Sequence, residues 1–151
     1  MNESSALETA LASGNLADIL HATLAHFQCD AGTIHLLKEG QLSLAAHVNI
    51  PPPIVQIVQT VPLGKGIAGL AAERREPVSL CNLQTDTSGQ ARPAAKTTGM
   101  EGSVAVPMLR GETLSGVLGI AKAKAHDWTH AEKSELLTIA SRLADRVAAG
   151  L

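Results

Sequence analysis

The stretch PLGKGIAGLAAERREPV, residues 62–78, constrains the fold more than any other part of the chain. It contains G-x-G-x-x-G at Gly64, Gly66 and Gly69, the spacing by which dinucleotide-binding folds bring a backbone turn against a pyrophosphate. That reading needs a helix long enough for a parallel crossover, which takes roughly a dozen residues or more. Gly69 and Pro77 lie too close together for one. A hairpin pattern follows instead of further strand–helix units, so a doubly wound sheet is not supported, although Asp86 lies where a ribose-binding acid would be sought. A P-loop is excluded as well, because Lys65 lacks both the preceding spacing and a following Ser or Thr. The glycines read as a sharp entry into a short helix: Gly64 and Gly66 supply backbone freedom, and Gly69 with Ala71 lets the helix lie close to a sheet. The N–H groups of Gly66, Ile67 and Ala68 would point out of that helix start, toward any anionic group placed there.

The rest of the chain divides by hydrophobic period. Ser5-Ala6-Leu7-Glu8 fits a capping box before a short helix that stops at Gly14. Asn15 caps a second helix, in which Leu16, Ile19, Leu20, Leu24 and Phe27 recur at steps of three and four. AGTIHLL and QLSLAAHV form a hairpin around Glu39-Gly40, and a two-residue turn there sets His35 opposite Leu44. Pro53 opens a short helix through Ile54, Ile57 and Val58. PVSLCNL reads as a third strand, and residues 84–99 as a long surface loop. Gly102–Leu109 and Leu114–Lys124 alternate as a second hairpin. Thr129-His130-Ala131-Glu132 is a capping box for a final helix carrying Leu136, Ala140, Leu143 and Val147.

At 151 residues with a formal charge of -2, one domain spanning 1–151 is expected, with 1–14 as an N-terminal helical extension and 15–148 as its core. No basic field is present to hold nucleic acid or an anionic membrane. No apolar run reaches membrane-spanning length, and the first residues lack the pattern of an export signal. Two cysteines without a C-x-x-C suit a reducing cytoplasm. Phe27 and Trp128 are the only aromatic residues. A site in this chain must therefore work with aliphatic walls, backbone groups and a few polar side chains. The six histidines show no ligand spacing with a third partner, so no metal and no other cofactor is expected.

Residues 62–78, the hairpin SVAVPMLRGETLSGVLGI at 103–120 and the closing WTHAEKSELLTIASRLADRV at 128–147, in this order of parts, resemble the GAF domain family. The resemblance runs from about Leu16 to Val147. It implies an α+β fold: an antiparallel five- to six-stranded sheet in an α/β/α arrangement, with the terminal helices on one face and a ligand pocket on the other. By position it implies a pocket drawing on Ile54, Ile57 and Val58, the turn at Gly66, Ile67 and Ala68, Cys81 and Asn82, and Ser103 and Ala105, roofed by a loop with Arg92, Lys96 and Thr97.

The family's ligands are diverse, and several fit this chain poorly. The Asn-Lys…Phe…Asp-Glu pattern of cyclic-nucleotide binders is absent. No aromatic stands in the pocket region to stack on a base or a tetrapyrrole, and no Cys-His offers bilin attachment. A small acid or other compact metabolite is most compatible. The expected function is a sensory, regulatory small-molecule-binding domain in signal transduction. Two alternatives are a free-methionine sulfoxide reductase and a ligand-free dimerisation module. Met100-Glu101-Gly102-Ser103 occupies the place where the resemblance sets the reductases' catalytic cysteine, so the chain is expected not to be an enzyme. A homodimer is expected through the terminal helices, with Leu136, Ala140, Leu143 and Val147 as its seam and Leu7 and Leu11 joining it.

Overall fold

The computed structural model describes residues 3–91 and 93–150. Helices α1 (Glu3–Ser13) and α2 (Leu16–Phe27) lead into a hairpin of β1 (Ala31–Lys38) and β2 (Gln41–Val48). Then come α3 (Pro52–Ile57), β3 (Thr60–Pro62), α4 (Gly66–Arg74) and β4 (Val78–Leu80). A 3-10 helix at Pro93–Thr98 precedes the hairpin β5 (Gly102–Arg110) and β6 (Thr113–Lys122), and α5 (His130–Ala148) closes the chain. The strands form one six-stranded sheet in the order β3-β2-β1-β6-β5-β4, and every neighbouring pair is antiparallel. The absence of parallel pairs agrees with the shortness of α4, which lies between the two edge strands.

Local chemistry sets most boundaries. Asn15 caps α2 by accepting from the Asp18 N–H at 3.0 Å. At α5, Thr129 Oγ1 accepts from the Glu132 N–H at 3.1 Å while the Glu132 carboxylate accepts from the Thr129 N–H at 2.9 Å, a complete capping box. The first helix departs from expectation. It begins at Glu3, so Ser5 lies within the first turn and the Ser5-to-Glu8 motif is not the cap. Glu39 and Gly40 both take positive φ, 52° and 79°, as the tight turn between twisted strands requires. His35 pairs with Leu44, and a bulge between Ile34 and His35 sets Thr33 against His47. β4 stops at Leu80 because the chain turns immediately afterward, where Asn82 Oδ1 accepts from the Gln84 N–H at 2.9 Å.

The two faces of the sheet are packed differently. Ile34, Val104, Val106, Met108, Leu118 and Ile120 form one face, buried beneath α1, α2 and α5 together with both aromatics, Phe27 and Trp128. The opposite face carries a smaller cluster in which Ala71 and Ala72 of α4 meet Leu42, Val61, Val78 and Val117.

This arrangement corrects the reading of the last helix. Leu136, Ala140 and Leu143 are 1%, 0% and 0% exposed, and with Leu7 and Leu11 they belong to the chain's own core, Val147 packing at its margin. The physical reason is the width of the sheet: α1 and α2 cover only part of it, and the apolar stripe of α5 is needed for the strands of the second hairpin. The predicted dimer seam is thus filled from within one chain.

Candidate functional site

Three central strands place small side chains on the face away from the long helices. β1 contributes Ala31 and Thr33, β5 contributes Ser103 and Ala105, and β6 contributes Gly119 and Ala121. Across the sheet, Thr33 and Ala105 both pair with Gly119, and Ala31 and Ser103 both pair with Ala121, so the six positions form two adjacent rows. The missing side-chain volume leaves a cavity of about 150 Å³ above them. Its roof comes from α3, from the start of α4, and from Ala91, Thr98 and Met100 near the second hairpin.

Of the residues expected at the pocket, Ile54, Ile57, Val58, Gly66, Ile67, Ala68, Ser103 and Ala105 all line this cavity. Cys81, Asn82, Lys96 and Thr97 do not, which corrects their placement. Cys81 and Asn82 follow the edge strand β4, beyond the cavity, where the Cys81 carbonyl accepts the His126 N–H at 3.0 Å. Lys96 Nζ turns back to donate to the Asp86 carbonyl at 3.1 Å, and Thr98 rather than Thr97 reaches the cavity wall. Arg92 lies outside the described residues.

Sequence reasoning missed Thr33, His35, Lys65, Met100, Gly119 and Ala121, which also line the cavity. A signal for the floor was present: three strands alternate small residues with large apolar ones, whereas a fully packed sheet needs volume on both faces.

The glycine turn has a distinct reason at each position. Gly64 and Gly66 take φ of 86° and 67°, a conformation that L side chains resist. At Gly69 the constraint is space, since a Cβ would stand 2.5 Å from the Pro62 carbonyl oxygen. Lys65 at the N-cap provides no side-chain hydrogen bond and α4 has no acid in its first turn. The N–H groups of Gly66, Ile67 and Ala68 therefore lack intrahelical acceptors and receive none from the N-cap side chain.

His35 is 2% exposed. Its Nε2 lies 2.9 Å from the Val58 carbonyl, and because a carbonyl only accepts, Nε2 carries the hydrogen and Nδ1 keeps a lone pair. That Nδ1 finds no partner among the described residues. The bond ties the C-cap of α3 to a floor strand. Burial holds the pKa of His35 below its ordinary value of 6.5, opposed by the bond to Val58. Among the described residues Lys65 is the only charged residue lining the cavity.

The sign of the pH effect follows. The unfolded chain binds this proton near pH 6.5 and the folded one only at lower pH, so stability falls as pH drops from about 6.5 toward the folded value. Urea midpoints at about pH 7.5 and about pH 5.5 are expected to differ less in His35→Gln than in the unmodified protein. An equal difference in both would show that other groups govern the acid response.

Burial pushes the Cys29 thiol up to about 12, against a smaller opposing effect of Lys122. It remains protonated at neutral pH and offers no thiolate. Cys81 is exposed and unpaired with Cys29. Among the described residues no group of three His, Cys, Asp or Glu side chains is placed to hold a metal ion, and no helix is long and apolar enough to cross a membrane.

The GAF domain family matches residues 13–148. This chain belongs to the GAF domain family. Among solved structures it is similar to the GAF domain of a phosphoenolpyruvate-protein phosphotransferase from Coxiella burnetii, at 22% identity and a TM-score of 0.79, covering 99% of this chain and 94% of that one. The GAF domain of the Acinetobacter phosphoenolpyruvate-protein phosphotransferase is similar at 22% identity and a TM-score of 0.78, over 99% and 96% of the two chains. A free methionine-R-sulfoxide reductase from Neisseria meningitidis, solved with its substrate, shares 16% identity and a TM-score of 0.76 over 97% and 89%. At these identities the likeness shows the fold. No curated protein matches the chain in sequence.

A GAF domain is in general a sensory or regulatory domain, but the same fold carries catalysis in the reductase. The expectation that this chain is not an enzyme is corrected accordingly. It rested on one missing cysteine, and a fold shared with methionine sulfoxide reductases removes its support.

Proposed function

We propose that this GAF domain senses a compact small molecule held in the cavity between α3, α4 and the floor of β1, β5 and β6, and so acts as a regulatory domain in signal transduction. The observation that carries the reading is the cavity itself, an apolar hollow of about 150 Å³ with a few polar groups at its wall. An apolar cavity of such size in another protein accommodates a molecule on the order of benzene. This favours a compact metabolite over a nucleotide or a tetrapyrrole. Both aromatics lie on the other face of the sheet, which leaves no ring in the site to stack on a base.

Gly119 provides the test. A Cβ there would meet Thr33 Oγ1 at 3.3 Å and Val104 O at 3.9 Å, so a side chain is accommodated at its root while its far end projects over the floor. Native mass spectrometry after gentle purification is expected to show a bound compound in the unmodified protein and none in Gly119→Leu, with both folded by circular dichroism. A compound retained equally by both would place the ligand elsewhere. An empty unmodified protein that also takes up no compound from a metabolite extract would remove the sensory reading.

Homodimer formation is a separate proposal. A dimer through the terminal helices would use the polar outer faces of α1 and α5, where Arg142 and Glu8 already pair within one chain at 2.6 and 2.8 Å. Light scattering of the unmodified protein decides it. A cytoplasmic setting is proposed from the two unpaired thiols, Cys29 and Cys81.

A further inference from the structure

The polar groups of the cavity are asymmetric in kind. The start of α4 lines the cavity with N–H groups that its N-cap side chain does not serve, and Lys65, an exposed residue, lines it beside them. Helix dipole and the Lys65 charge have the same sign, an arrangement that favours an anion. Among the described residues no Asp or Glu lines the cavity.

The floor is polar in a different way. Ser103 is 6% exposed, and the alternation of β5 sets it on the cavity face beside Ala105 while Val104 enters the helix-side core. Its hydroxyl has no hydrogen-bond partner among the described residues. Thr33 brings a second hydroxyl, its Oγ1 standing over Gly119. These groups exchange hydrogen bonds but carry no negative charge. Once a ligand displaces water from the cavity, a hydroxyl left unpaired there costs about 1–3 kcal/mol, and a ligand ammonium facing only neutral groups costs more.

We infer that the ligand is a small hydroxy acid, its carboxylate at the start of α4 beside Lys65 and its hydroxyl against Ser103 on the floor. The inference rests on the reading of the cavity as a small-molecule site. A hydroxyl both accepts from Ser103 and donates to a neighbouring acceptor such as Thr33 Oγ1, which stands over Gly119 on the same floor. A keto group accepts only and leaves the floor's lone pairs unanswered. An ammonium in the same place finds no carboxylate.

A matched series on one four-carbon frame tests this. The probes are butanoate, the 2-, 3- and 4-hydroxybutanoates, the corresponding aminobutanoates, 2-oxobutanoate and the amide of the best hydroxy acid. Binding is followed by methyl chemical shifts of Ile67, Ala105 and Ala121. At least one hydroxybutanoate is expected to bind about tenfold or more tighter than butanoate, its amino counterpart, 2-oxobutanoate and its own amide, a difference of about 1.4 kcal/mol. In Ser103→Ala its advantage over butanoate should shrink to about threefold or less.

If butanoate, an aminobutanoate, 2-oxobutanoate or the amide binds as well as every hydroxy acid, the hydroxy-acid assignment falls while the cavity remains a binding site. A preference that survives Ser103→Ala also overturns it, since the hydroxyl would then lie elsewhere. If no compound moves the cavity methyls, the inference and the sensory reading fall together.

Discussion

Leu143→Glu is expected to leave no folded protein, rather than a folded monomer separated from its partner. Leu143 is fully buried among Leu136, Ala140 and the β5–β6 face. A carboxylate there leaves water for a close-packed apolar cluster, and the cost of burying it amounts to several kcal/mol in addition to the lost packing. A domain of this size has about 5–15 kcal/mol of stability in total. Far-ultraviolet circular dichroism should show an unfolded chain. Leu143→Ala, a milder change, should lower the unfolding free energy by about 2–5 kcal/mol in urea titrations. A soluble, folded Leu143→Glu protein would return this helix face to the surface and revive the seam.

Gly69→Ala is expected to destabilise the domain by about 2–3 kcal/mol, at the upper end for a single added methyl in a packed site. The new Cβ would meet the Pro62 carbonyl oxygen at 2.5 Å and the Gly64 nitrogen at 3.1 Å. Both are backbone atoms and cannot swing aside. They also hold the turn, through Gly64 N to Gly69 O at 2.9 Å and Lys65 N to Pro62 O at 3.2 Å. Relieving the clash moves the first turn of α4, so binding at the cavity should weaken along with stability. Ala72→Gly, in the same helix but away from the turn, separates the two effects: it should cost roughly 1 kcal/mol or somewhat more and leave affinity unchanged. A Gly69→Ala protein with unaltered urea midpoint and affinity would show that the turn adapts.

Much of the fold was legible because its signals are local. Asn15 and Thr129 announce helix starts through their own side chains, and Glu39-Gly40 fixes a turn from two residues. The little chain between Gly69 and Pro77 excluded a doubly wound sheet, and the antiparallel sheet was expected from the resemblance to GAF domains. What was not legible depends on which surface an element meets. The α5 stripe of Leu136, Ala140 and Leu143 has the same spacing whether a partner chain or the chain's own sheet covers it, and only the breadth of the sheet decides between them. The cavity was read by position along the chain: the residues so named on α3 and α4 line the hollow, and Cys81 and Asn82 do not, since β4 is an edge strand set off from it. Thr33, Gly119 and Ala121 escaped notice because a small residue is informative only beside its cross-strand neighbours. Ala105 and Ser103 gain their meaning from Gly119 and Ala121, far away in sequence.

The floor of the cavity is also a partition one residue thick. Ser103 and Ala105 face the hollow, while Val104 and Val106 between them enter the core beneath α5, and on β6 Gly119 and Ala121 alternate likewise with Leu118 and Ile120. Close-packed interiors have low compressibility and transmit strain. An occupant pressing on this floor therefore acts on the seat of the C-terminal helix through a single layer of backbone, without any relay through the roof loop. The shortest mechanical route out of the site runs across the sheet, to α5.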